Sequence, residues 1–203
     1  MKKLGKRVAL CLAAALVIGA LGIVRDRMLL KEQLIRLHVV ANSDAAVDQA
    51  AKLQVRDAVL EVIREDLAGI SDVEAAKAYL RENLPKLRAA ANAVLKEAGV
   101  TDTAVVTLCR EAFDAREYDT FSLPSGVYTS LRITVGEGAG KNWWCVSFPA
   151  LCFTSSREDF VQTAADAGLS RPLSGALTGE AGSEVRFFLL DQLGKLENIF
   201  FAG

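Results

Sequence analysis

Residues Val8 to Val24 form an uncharged apolar run of 17 residues, preceded by Lys2, Lys3, Lys6 and Arg7 and closed by Arg25, Asp26 and Arg27. No stripe of the run is polar, so it cannot serve as the surface helix of a water-soluble domain. A positive start, an apolar stretch and then polar chain is the pattern of an export signal. Ala20 and Gly22 supply small residues at the −3 and −1 places, which puts a cleavage site after Gly22. Spanning a bilayer takes roughly 20 apolar residues, with a lower limit near 17, so an uncleaved anchor fits as well. In both cases the basic start stays in the cytoplasm and the remainder is carried across. Residues 1–24 are therefore expected as a signal peptide or signal anchor, 25–33 as a linker or a continuing helix, and 34–203 as one exported domain. Cys11 has no lipoprotein cleavage box before it and reads as a small apolar residue.

Without residues 1–24 the chain loses four basic residues and no acidic ones. That leaves 20 Lys+Arg against 25 Asp+Glu, a formal −5. Such a domain is repelled by nucleic acid and by anionic membrane surfaces, so contact with a membrane is expected only through the N-terminal segment. The single His of the chain, His38, excludes a His-rich zinc site and leaves one imidazole for any catalytic triad.

Periodicity outlines an α+β domain, its strands forming a mainly antiparallel sheet packed against helices. Ile35, Leu37 and Val39 alternate with Arg36, His38 and Val40 as in a strand. Asn42, Ser43 and Asp44 end it, and a helix is predicted over about 48–67. Ser71 with Glu74 suggests a capping box for a second helix to about residue 83, and Pro85 the first turn of a third. Strands are predicted at 104–110, 127–135 and 142–148. The last two, joined by glycine-rich residues 136–140, read as a β-hairpin. Residues 154–183 are rich in Ser, Gly, Asp and Ala, with a short helix near 157–167. Val185, Phe188, Leu189, Leu193, Leu196 and Ile199 recur at helical spacing in a last segment, about 184–200.

Few residues look like chemistry. Gly136 to Lys141 fails as a phosphate loop, because Asn142 stands where Ser or Thr is needed and a strand follows where a helix must begin. His38 is the one candidate general base, with no carboxylate partner evident nearby in sequence. No metal or cofactor site is expected. Cys145 and Cys152 face each other if residues 146–151 turn tightly at Phe148-Pro149; a two-residue turn there requires a cis peptide. They are then either a disulfide, which exported chains retain, or two thiols packed as small hydrophobes, with Cys109 left over. Asn142, Trp143 and Trp144 precede this loop. Successive strand residues face opposite sides, so one Trp should enter the core and the other lie on the opposite face. With Phe148, Leu151 and Phe153 the segment is either core or a partner-binding surface of the kind in which Trp is enriched.

Ile35 to Asp44, followed by Gln49, Lys52, Val55, Arg56, Asp57 and Ala58, resembles the opening of the stage II sporulation protein R family. Gly126-Val-Tyr128, Leu131-Arg-Ile133, Gly136-Glu-Gly138 and the string from Asn142 to Phe153 resemble its second signature; Ala150 stands where the family usually has a second proline. The resemblance covers about residues 34–153. It implies a non-enzymatic protein exported from the forespore across its inner membrane. Its partner would be the membrane-embedded aspartic protease that processes pro-sigma-E in the mother cell, and its role the activation of that protease. The alternatives from other classes are a secreted hydrolase using His38 or a Cys145 thiolate, and an envelope-binding module.

Overall fold

A computed structural model describes the backbone of residues 2–202 and the side chains of residues 6–201. The side chains of Lys2 and Lys3 in the basic start lie outside the described residues. Helix α1 (Lys2–Gln33) is followed by strand β1 (Ile35–Val40), helices α2 (Ala46–Asp66) and α3 (Val73–Glu97), and strand β2 (Ala104–Phe113). Two short strands, β3 (Arg116–Glu117) and β4 (Ser122–Leu123), lead to β5 (Gly126–Val135) and β6 (Asn142–Phe148). A 3-10 turn (Leu151–Phe153) and helices α4 (Arg157–Asp166), α5 (Arg171–Thr178) and α6 (Glu184–Ala202) complete the chain.

The main sheet has the order β2-β5-β1-β6. β2 runs antiparallel to β5 and β6 antiparallel to β1, while β1 and β5 are parallel. The sheet is therefore mixed and mainly antiparallel. The expected hairpin of residues 127–135 and 142–148 does not form, because β1 lies between these strands and pairs with both. All six residues of β1 are buried, which makes it the best central strand the chain offers.

Pleating divides the two cores. Ile35, Leu37, Val39, Leu131 and Ile133 point to α2 and α3, where Val55, Val59, Leu80 and Leu87 meet them. The opposite face carries Tyr128, Trp144 and Val146 and is covered by α4, α5, Leu190 of α6 and the end of α1. Residues 25–33 are the final turns of α1 and part of this second core, with Leu30 and then Leu34 fully buried. The burial of α1 begins at Ile23, one residue past the expected cleavage site. By length and hydropathy α1 can cross a membrane from Lys6 onward, which fits a signal or an anchor.

The second and third predicted helices are one. Asp72, not Ser71, caps α3 by accepting from the Ala75 N–H at 2.8 Å. Pro85 sits inside it on the exposed face. The carbonyl of Arg81, which loses its intrahelical donor there, is on the solvent side and can bond to water. Helix α5 was not expected from its mixed Arg171–Thr178 sequence. Its ends follow the usual grammar, with a proline in the first turn and Gly179 at φ 69° after the last.

Candidate functional site

The two stretches that carry the family resemblance are built against each other. Residues 136–140 cross over the end of β1 and are held there by the Asn42–Asp44 turn. Asn42 Oδ1 accepts from the Glu137 N–H at 3.0 Å, Asp44 from the Lys141 N–H at 2.7 Å, and the Asn42 carbonyl from the Ala139 N–H at 3.0 Å. Lys52 of α2 donates to the Lys141 carbonyl at 3.0 Å. Gly136 has φ +56°, and any Cβ there would collide with Asn42; a Cβ at Gly140 would strike the Ser43 carbonyl. The glycines thus serve close packing of two loops, neither a phosphate nor a hairpin turn.

Strand β6 leaves this clasp at the edge of the sheet. Trp143 and Trp144 do face opposite sides, but each is half-buried against a different core. Trp143 packs on the α2 side with the Arg56 guanidinium 5.0 Å from its ring centre. Trp144 stacks with His38, ring centres 5.6 Å apart, and has the Arg116 guanidinium 3.6 Å from its ring centre. Cationic planes over indole faces are favourable contacts and shield both rings. Neither indole is a freely projecting anchor.

Cys145 and Cys152 form a disulfide with Cα atoms 5.8 Å apart, and the Phe148-Pro149 peptide between them is cis. The chain continues into the 3-10 turn, not into a paired strand. Phe148 is buried in the first core and Leu151 in the second; Phe148 also forms part of the wall of a neighbouring cavity. Phe153 is exposed, with the Arg64 guanidinium 6.0 Å from its ring. Beside it opens a mainly apolar cavity of about 310 Å³, walled by Ile63 of α2 and Leu67 just after it, by Phe148, Pro149 and Phe153, and by Ala167 after α4. Arg64 and Asp166 stand at this cavity too. The sequence pointed to the loop but not to these walls, which come from elements far along the chain.

His38 has the carboxylate partner that its sequence neighbours did not reveal. Its Nδ1 lies 2.8 Å from Glu111 Oε1 and its Nε2 2.9 Å from Asn142 Oδ1. Arg132 donates to the same Glu111 oxygen at 2.8 Å. Burial would raise the Glu111 carboxyl, but His38, Ser130 and Arg132 outweigh it and hold the group below its ordinary range. Cys145 pairs in register with Leu37, not with His38; its sulfur is therefore on the other side of the sheet and is bonded to Cys152. Burial and the Glu111 charge push the Cys109 thiol up, away from the thiolate that nucleophilic chemistry needs. Next to this network Arg36 is fully buried under Phe113, 4.0 Å from its ring centre, and donates to the Tyr118 hydroxyl at 2.7 Å.

What this geometry defines is a braced sheet edge with an adjoining apolar cavity, built largely by two sequence signatures. The model of the stage II sporulation protein R family matches residues 31–158, and the chain belongs to that family. It is 31% identical to stage II sporulation protein R of Bacillus subtilis (strain 168) over 187 residues, covering 83% of this chain and 84% of that one. No solved structure matches it. The protein is accordingly a sporulation protein.

Proposed function

We propose that the protein is an intercompartmental signal. It would be exported from the forespore through α1 and would activate, by binding, the membrane-embedded aspartic protease that processes pro-sigma-E. The observation that carries this reading is the cavity beside the Cys145–Cys152 loop. The second signature supplies Phe148, Pro149 and Phe153 to its wall, and the disulfide limits the entropy that the loop can lose on binding. An activating ligand needs only to bind the active arrangement of its target better than the inactive one. The state of the cysteines supports the same reading over a hydrolase, since Cys145 is bonded on the other face of the sheet and burial and the Glu111 charge keep Cys109, on the His38 face, a thiol.

Within this proposal the contact set narrows from the whole 142–153 segment to Phe153, the cavity mouth and the guanidinium-capped Trp edges. The test is expression of the full chain, together with the protease and pro-sigma-E, in a bacterium that does not sporulate. Cleavage of pro-sigma-E that depends on this chain is the expected result. Absence of cleavage, with export of the chain verified, would overturn direct activation.

A further inference from the structure

Helix α6 is mounted the wrong way round for a soluble domain. Four of its polar residues, Arg186, Asp191, Glu197 and Asn198, reach inward partners. Asp191 accepts from the Ser125 N–H at 3.0 Å, Asn198 donates to the Phe113 carbonyl at 2.8 Å, and Glu197 pairs with Arg27 and Lys31. Arg186 pairs with Asp26 of α1. Gly194 lies so close to the Ser125 carbonyl that a Cβ would collide with it, which fixes the rotation of the helix about its axis. The opposite face is open and mainly apolar, with Gln192 as its polar member. Val185 is 69% exposed, Phe188 58%, Leu196 53% and Phe200 84%, with Leu189 and Leu193 between them. At 100° per residue these six lie on one side of the helix. The charged side chains Arg186, Asp191 and Glu197 are all held at inward partners.

The open face is continuous with α1. Leu16, Gly19, Ala20 and Ile23 of α1 face Val185 and Leu189 of α6 across an open cleft. The α1 wall of that cleft belongs to the segment long and apolar enough to cross a bilayer. Acyl chains that cover every side of such a helix, as its lack of a polar stripe demands, also reach the α6 wall. An exposed apolar patch of this extent marks an interaction surface, and a helix with one apolar face suits the boundary of a bilayer.

We propose that the outer face of α6 is a second membrane contact, seated in the lipid of the outer leaflet boundary beside α1. The formal −5 charge of the exported part then presents no obstacle, because the contact uses apolar area, Asp191 and Glu197 are turned inward, and the exposed Glu184 and Lys195 stand at the flank of the face. This proposal does not depend on the signalling reading.

The test uses the full chain with Cys11→Ser and Cys109→Ala, one copy per phosphatidylcholine nanodisc. A fluorophore is placed through Phe188→Cys, Leu196→Cys or, as control on the exposed side of α3, Arg88→Cys. Lipids brominated in the acyl chain should quench the labels at 188 and 196 about twofold or more and leave the label at 88 unchanged. Equal quenching of all three labels by aqueous iodide, with none by bromolipid, would overturn the proposal. So would shielding of positions 188 and 196 that appears only when two copies share a disc, since the face would then bind a second chain. Shielding that appears only when the protease is added would assign the face to a protein partner and likewise overturn it.

Discussion

Helices α3 and α6 are both amphipathic, and the fold treats them in opposite ways. α3 turns Leu80, Leu87, Ala91 and Leu95 onto the sheet and, apart from the buried Lys77, leaves its charges toward water. α6 turns Asp191, Gly194, Glu197 and Asn198 onto the domain and leaves Phe188, Leu196 and Phe200 outside. Periodicity therefore reports which residues share a face, but not whether that face looks inward. What decides is the neighbour. α3 packs on a bare apolar sheet, whereas α6 packs on backbone donors and on Arg27 and Lys31 of α1, which need acceptors.

The largest effect that would break this contrast is in stability. Leu87→Ala in α3 should cost about 2–5 kcal/mol, the usual range for truncating a buried leucine. Leu196→Ala in α6 should change stability by less than about 0.5 kcal/mol, as exposed positions do. Urea unfolding of the two variants measures the difference, and equal losses would mean that α6 buries its apolar face after all. Next in size is Gly194→Val. It forces a side chain against the Ser125 carbonyl and should cost about 1–3 kcal/mol, with faster hydrogen exchange in α6 than in α2 or α3.

Acid should separate the two helices without mutation. Burial tends to raise Glu197, but Lys31 and Arg27 hold it below its ordinary value; for Asp191, burial is likewise outweighed by Lys195 and Ser125. A carboxylate whose folded value is depressed contributes its full stabilisation above the unfolded value and loses it as pH falls through the folded one. Unfolded carboxylates titrate near about 4, so α6 should loosen progressively below that pH while α3 keeps its protection. Hydrogen exchange across pH 3 to 7 would show this, and uniform loss in both helices would contradict it. The smallest expected effect is that of Arg56→Ala over Trp143, about 0.5–1 kcal/mol for a part-exposed cation–π contact, read by the same urea unfolding.

Much of this architecture was legible. The strands predicted at 127–135 and 142–148 are real, and α3 and α4 begin within a residue of where the pattern put them. Sequence adjacency misled at the hairpin, because strands joined by a short loop usually pair and nothing local announces that β1 enters between them. Pro85 divided α3 on paper since a proline inside a helix is costly, and only the exposure of its face explains its tolerance. At the site, the residues from Asn142 to Phe153 were visible as a string. Their partners Arg56, Arg64, Arg116 and Glu111 were not, because each comes from another element and is an ordinary charged residue where it stands.

In the proposed function the aromatic loop and its cavity are the working surface, and His38 is a structural histidine. The direct measurement is pro-sigma-E cleavage in a non-sporulating host that exports the full chain with Phe153→Glu or with His38→Gln, each checked for folding by circular dichroism. A charge at the cavity mouth should lower activation about tenfold or more, as loss of a central interface anchor does. His38→Gln, which keeps a polar group between Glu111 and Asn142, should activate as the wild type does. A folded His38→Gln chain that fails to activate, beside a Phe153→Glu chain that succeeds, would contradict the account.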